Sequence, residues 1–94
     1  GDGMIEVENA IVTVRDRFGR TELDFELPVF VPARRLRAML LETLRALAPE
    51  RWLPVTELML LDGDRPLGDE DTLASLGLWD GSILTAQAGR EDAQ

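Results

Sequence analysis

Nearly all the side chains that could do chemistry in this sequence are carboxylates, because its 94 residues include no histidine, cysteine or tyrosine. The densest acidic cluster comprises Asp62, Asp64, Asp69, Glu70 and Asp71. Carboxylate oxygens suit a hard cation such as Ca²⁺, but Gly63 is misplaced for a calcium loop, Pro66 interrupts it, and the glutamate at the loop's last position is missing. We therefore predict no metal site and no cofactor, and interpret the cluster as solvated turns. Asp71 or Thr72 is the expected cap of a short helix, and we prefer Asp71.

Among the hydroxyls, those of Thr72 and Ser75 lie next to the acidic cluster and are considered as nucleophiles. A hydroxyl needs an adjacent general base such as histidine or lysine, and the sequence contains neither. The composition therefore predicts a protein that is not an enzyme and works by binding.

The charge of the chain limits the classes of partner that it can bind. A formal net charge of −8 disfavours nucleic acid and anionic membrane surfaces, since both are polyanions. No apolar run approaches the roughly 18 residues of a membrane span, so we predict no membrane insertion. We expect a cytoplasmic monomer with a protein partner. Residues 31–51 carry five arginines against two acids, which we interpret as a solvated helix face rather than the alternative, a site for an acidic partner.

One helix dominates the predicted fold, over residues 31–47. Pro32 suits its first turn and Pro49 stops it. Its apolar residues recur at helical spacing and form one arc, which we expect to cover a sheet: Leu36, Met39, Leu40, Thr43, Leu44 and Leu47.

The strands are predicted from alternating patterns. Residues 10–15 and 21–27 alternate and form a hairpin with Phe18 at its tip, residues 56–62 and 83–87 form two later strands, and residues 71–77 form one helical turn. This order predicts an α+β fold with a mixed four- to five-stranded sheet on one main helix. We assign 1–9 to an N-terminal extension, in which 1–3 resemble a cloning remnant, 10–88 to the domain and 89–94 to a flexible tail.

The third strand carries consecutive apolar residues, so its pattern does not show which face is buried. We predict that Met59 and Leu61 point into the core and that Leu58 and Leu60 lie on the open face. A one-residue slip in register would exchange the two pairs.

This arrangement resembles ubiquitin and its β-grasp relatives over residues 10–88. The resemblance rests on the hairpin followed by one long helix and on these positions: Leu61-Asp62-Gly63, Leu67, Thr72-Leu73, Leu78, Ser82 and Leu84. Other features are similar to the YukD/EsaB-like proteins that accompany bacterial type VII secretion, and to the amino-terminal domains of actinobacterial type VII membrane components: Pro32, Arg34-Arg35, Trp52 and residues 78–84. The resemblance implies a non-catalytic ubiquitin-like interaction module, accessory to type VII secretion, that binds a secretion component.

The resemblance also implies that partners use the uncovered side of the sheet. We therefore predict a binding surface that includes open-face residues, aromatic residues in turns and one leucine on the basic helix face: Leu58, Leu60, Thr85, Gln87, Phe18, Trp79 and Leu41. Leu60 matches the central apolar residue of ubiquitin's docking patch, whereas Gln87 replaces an aliphatic one. In the alternative interpretation, Trp52 folds over Leu41, Trp79 tucks under the last strand, and the exposed leucines need no partner.

An alternative function is that of a modifier conjugated through a trimmed C-terminal Gly89, with bacterial conjugation enzymes as partners. Ubiquitin-type modifiers end in two glycines, but here Gly89 follows an alanine and five residues follow it. Conjugation would need a trimming protease, and the absence of lysine leaves no acceptor for a polymer of the chain.

Overall fold

The computed structural model describes residues 8–17 and 22–91. Within them, the elements are β1 (Asn9–Asp16), β2 (Glu22–Pro28), α1 (Ala33–Leu47), α2 (Pro49–Trp52), β3 (Val55–Asp62), β4 (Arg65–Pro66), α3 (Leu73–Leu76) and β5 (Ile83–Glu91). The strands form one sheet in the order β2-β1-β5-β3-β4, in which β1 and β5 are parallel and the other pairs are antiparallel. The predicted α+β fold, a mixed sheet on one main helix, is confirmed.

The hairpin of β1 and β2 follows the predicted alternation. Val12 lies opposite Phe25 and Val14 opposite Leu23, so these apolar side chains share one face. The hairpin tip, including Phe18, lies outside the described residues, as does residue 21, where the second strand was predicted to begin.

The core lies between α1 and one face of the sheet. The helix contributes Ala33, Leu36, Leu40 and Leu44, and the sheet contributes side chains from β1, β2, β3 and β5, including Val12, Val14, Leu27, Leu58, Leu60, Leu84 and Ala86. No helix among the described residues is long and apolar enough to cross a membrane. The opposite face of the sheet has no described helix packed on it, and we call it the open face.

The buried arc of α1 is rotated from the prediction. Met39, Thr43 and Leu47 are exposed, whereas Leu41 and Arg45 are half-buried. Arg45 explains the rotation: its guanidinium Nε donates to Trp52 O at 3.3 Å, and the group also donates to the backbone O of Val55 in β3. The predicted arc was therefore wrong at its three exposed members, because the long arginine side chain lies over the start of β3.

The first turn of α1 is capped by a distant loop, because Pro32 provides no side-chain cap. The N–H groups of Ala33 and Arg34 donate to the carbonyl oxygens of Asp71 and Asp69 at 2.7 and 3.1 Å. Arg34 also pairs with Glu70 at 3.0 Å. Arginines near a helix start oppose the macrodipole, and the loop brings acidic side chains to balance them.

The short helix α3 is capped by Thr72, one of the two caps that its sequence allows, so the preference for Asp71 was wrong. Thr72 and Ser75 form a reciprocal capping box, with both side-chain-to-backbone bonds at 2.9 Å. Asp71 instead accepts a hydrogen bond from the Gly68 N–H at 2.8 Å. The two hydroxyls considered as nucleophiles therefore have a structural role.

Strand β5 continues to Glu91. The prediction of a flexible tail over residues 89–94 was therefore wrong for residues 89–91. The start of β3 offers a partner: Val55 pairs with Glu91 and Glu57 with Arg90, across a register irregularity in β3. Residues 92–94 lie outside the described residues.

Candidate partner-binding surface

The facing of β3 is the reverse of the predicted one. Leu58 and Leu60 are buried, at 2% and 1% exposed, so they cannot form part of an open-face site as predicted. The register with β5 fixes this, because Leu60 lies opposite the buried Ala86 and Leu61 lies opposite Thr85. The observed facing therefore differs from the predicted one by a one-residue slip in register. The consecutive apolar residues of β3 are compatible with both.

The open face carries a different set of apolar side chains. We define the open-face patch as Ile11 from β1, Met59 and Leu61 from β3, and Ile83, Thr85 and Gln87 from β5. Met59 pairs with Gln87, and Thr85 lies between Leu61 and Arg15 of β1 in the strand registers. The predicted residues Thr85 and Gln87 are thus on the open face, half-buried among their neighbours.

Ile11 and Ile83 are two members of the patch that were not predicted from the sequence. Both are about half exposed, at 52% and 45%. Each directly precedes a buried residue of its strand, Val12 and Leu84 respectively. The alternation of side chains along a strand was therefore the available signal.

Trp79 lies in a turn that is fastened to β1 beside Ile11. The Ile11 N–H donates to Asp80 Oδ1 at 2.7 Å, and the Gly81 N–H donates to Ile11 O at 3.0 Å. Gly81 has φ of 90°, which favours glycine. Ser82 Oγ accepts from the Trp79 N–H at 3.1 Å. The indole is 45% exposed, so Trp79 does not tuck under the last strand, and its turn places it near the open-face patch.

Leu41 does not form the exposed site that was predicted for the basic helix face. It is half-buried and packs against the core. Trp52 is a core residue whose ring lies 4.6 Å below the Arg51 guanidinium carbon. A groove of about 570 Å³ between α1 and β3 is lined by both signs of charge, including Arg37, Arg45, Glu42 and Glu57.

Gly89 lies within β5, between residues that pair with β3. A Cβ at this position would lie 3.0 Å from Met59 Cγ and 3.2 Å from Glu57 O. Close approach of the two strands thus accounts for the glycine, and conjugation through it has no support from the structure. Phe18 lies outside the described residues. Within residues 8–17 and 22–91, no group of three or more acidic side chains is arranged to hold a metal ion.

A mixed sheet wrapped on one main helix, with an open face that carries apolar side chains, defines a ubiquitin-like protein of the β-grasp fold. The chain belongs to the YukD family, described as the protein YukD of the WXG100 protein secretion system (Wss), which matches residues 10–85. The resemblance seen in the sequence is thereby confirmed. No curated protein matches the chain.

Solved structures share the fold at low sequence identity. The chain is similar to the EccD5 ubiquitin-like domain from Mycobacterium xenopi, with a TM-score of 0.73 and 20% identity over 92% of this chain and 99% of that one. The ubiquitin of Caldiarchaeum subterraneum gives a TM-score of 0.69 and 20% identity over 92% and 100%. A chain of the MycP5-free ESX-5 inner membrane complex gives 0.72 and 20% over 92% of this chain but 22% of its own length. These likenesses establish the fold.

Proposed function

We propose that this chain is a non-catalytic docking module of a WXG100 secretion system and that it binds a protein component of that system through the open-face patch and Trp79. The family match supports the connection with secretion. The similarity to a chain of an inner membrane complex supports a partner in the membrane-bound part of the system. We place the module on the cytoplasmic side as a monomer that its partner recruits.

The exposed apolar side chains of the open face carry this proposal. Ile11 and Ile83 are half exposed on adjacent strands, and Met59 and Leu61 lie on β3 across β5. A contiguous apolar surface on a soluble domain marks an interaction site more often than scattered leucines do. Trp79 adds an aromatic group of the kind enriched at the centres of protein interfaces.

The proposal can be tested by placing an arginine on the open face and on the outer face of α1. Ile83→Arg changes the patch, and Met39→Arg is the matched control, because the two side chains are 45% and 43% exposed. Each tagged variant is expressed in the native host, and co-purified secretion-system membrane components are quantified by mass spectrometry. We expect about a tenfold loss of these components for Ile83→Arg, the change produced by about 1.4 kcal/mol at a central contact.

The control decides how a loss is interpreted. Met39→Arg is expected to retain the components at the level of the unmodified chain, and both variants are expected to give the same circular dichroism spectrum. Equal recovery with Ile83→Arg and Met39→Arg would show that the open face is not the docking surface. Absence of secretion components from the unmodified chain's eluate would contradict the proposed function itself.

A further inference from the structure

Strand β2 forms one edge of the sheet in the described part of the chain, and some of its backbone points outward. Thr13 N–H donates to Ser82 O at 2.9 Å, and the backbone of Ile11 bonds to the same turn, so both residues point toward β5. In an antiparallel pair, the residues opposite them direct their own N–H and C=O groups away. These are Asp24 and Glu26, which therefore offer backbone donors and acceptors to a further strand.

The opposite edge of the sheet is covered at both ends of β3. Strand β4 pairs with Leu61 and Asp62, and the Leu67 N–H donates to Leu60 O at 2.9 Å. The Arg45 guanidinium donates to the Val55 carbonyl at the start of β3. At β2, by contrast, no described residue covers the outward backbone groups of Asp24 and Glu26.

The open-face side of β2 is acidic. Glu22, Asp24 and Glu26 alternate along the strand and are exposed. Of their partners on β1, only Arg15 is a cation, 3.7 Å from Glu22, while Asp24 accepts from Thr13 at 2.7 Å and Glu26 from Asn9 at 3.1 Å. With these partners on β1, the acidic ladder of Glu22, Asp24 and Glu26 keeps a net negative charge. Side chains directly across from one another on neighbouring strands interact, so an added strand with basic residues here would complement it.

The helix side of the same edge is apolar. Leu23 and Phe25 are half-buried against the core. On α1, Arg45 faces β3. Thr43 and Leu47 are each two residues away, a rotation of about 200°, and so they lie on the opposite flank of the helix. Leu47 is 60% exposed. Every second side chain of an added strand would therefore meet apolar rather than acidic neighbours.

We propose that the outer edge of β2 binds an extended segment of a partner protein in which arginine or lysine alternates with apolar residues. The segment adds a strand to the sheet, its backbone pairing with Asp24 and Glu26. Its basic side chains contact the acidic ladder, and its apolar side chains cover Leu23 and Phe25. Pro28, which lacks an N–H, ends the edge. This surface is distinct from the open-face patch, so the inference does not rest on the proposed secretion role.

The test is a titration of the ¹⁵N-labelled chain with a capped eight-residue peptide in which arginine alternates with valine. We expect the largest amide shift changes at Asp24 and Glu26. A peptide with glutamate in place of arginine tests the charge, and a peptide with N-methyl groups on the backbone amides of alternate residues tests strand pairing. Each is expected to bind at least about tenfold more weakly, since each removes several contacts.

A pair of double variants separates a specific site from the general negative charge of the chain. Asp24→Asn with Glu26→Gln is expected to weaken the arginine–valine peptide about tenfold. Glu42→Gln with Glu50→Gln removes the same charge from exposed helix positions and is expected to leave its affinity unchanged. Equal weakening by both pairs, undiminished binding of the N-methylated peptide, shifts centred on Leu61 and Ile83, or no binding at all would each overturn the inference.

Discussion

Leu60 and Leu61 are consecutive leucines of β3 with opposite surroundings. Leu60 is buried beneath α1, whereas Leu61 lies half-buried on the open face. Strand β5 repeats the contrast, because Leu84 is buried and Ile83 beside it is 45% exposed. The first pair consists of two leucines and the second of a leucine and an isoleucine, so hydrophobicity is nearly equal within each pair. The comparison shows that the face that α1 covers, rather than the hydrophobicity of a residue, decides which leucines and isoleucines stabilise the fold.

The two faces therefore differ in what their apolar groups contribute. Burying a leucine completely stabilises the folded state by about 1.5–3 kcal/mol. This stabilisation applies to the three buried leucines, Leu58, Leu60 and Leu84. In contrast, about half of the surface of Ile11 and of Ile83 stays in water. Apolar residues kept on the open face with little gain in stability are consistent with the docking role that we propose for it.

Arginine at the two leucines gives the largest expected difference between the faces. Leu60→Arg places a charge without a partner in the core and is expected to cost more than about 4 kcal/mol, enough to unfold much of a domain of ordinary stability. Leu61→Arg is expected to cost less than about 1 kcal/mol, because the charge stays in water. Urea denaturation followed by circular dichroism measures both. Similar losses in the two variants would contradict the facing of β3.

The elements of this fold could be predicted because their patterns are local. Residues 21–27 alternate strictly, and residues 31–47 combine helical spacing with a proline near each end. The facing of β3 could not be predicted, since apolar residues occupy both of its sides and only its pairing with β5 selects one. Thr85 and Gln87 accordingly lie on the open face as predicted, whereas Leu58 and Leu60, which were predicted to lie beside them, are buried.

The rotation of α1 and the end of β5 were also beyond the sequence pattern. Arg45 looks like a solvent residue until its bonds to the backbone of Trp52 and Val55 are known. Gly89 and Arg90 look like a polar tail until the start of β3 provides a partner strand. In both cases, a contact with another element of the fold overrides the local composition.

Truncation on the two sides of α1 extends the comparison from the sheet to the helix. Leu36→Ala removes a fully buried side chain and is expected to cost about 2–5 kcal/mol. Met39→Ala, three residues later on the exposed side, is expected to change stability by no more than about 0.5 kcal/mol. The urea midpoints of the two variants test this. A larger loss for Met39→Ala would support the arc predicted from the sequence and contradict the observed rotation.

Gly89→Ala tests how tightly β5 approaches β3 at the end of the sheet. The added methyl group would lie 3.0 Å from Met59 Cγ and 3.2 Å from Glu57 O, so both neighbours must give by a few tenths of an ångström. We expect a loss of about 1–3 kcal/mol, as for overpacking elsewhere. Gln87→Ala, two residues earlier on the same face, serves as the control. A flexible tail at residue 89 would instead tolerate the change with no shift in the urea midpoint.

Trp79→Ala is expected to have a small effect on stability, about 1 kcal/mol or less, because almost half of the residue's surface is already exposed. The backbone bonds of its turn to Ile11 and Ser82 do not involve the ring, so the turn persists. The substitution leaves Trp52, which is buried, as the single fluorophore of the chain. Its emission should lie at shorter wavelength than that of the unmodified protein and shift to longer wavelength on unfolding. Long-wavelength emission from folded Trp79→Ala would mean that Trp52 is in water, and the contrast between a covered and an open face would fail at the end of the core.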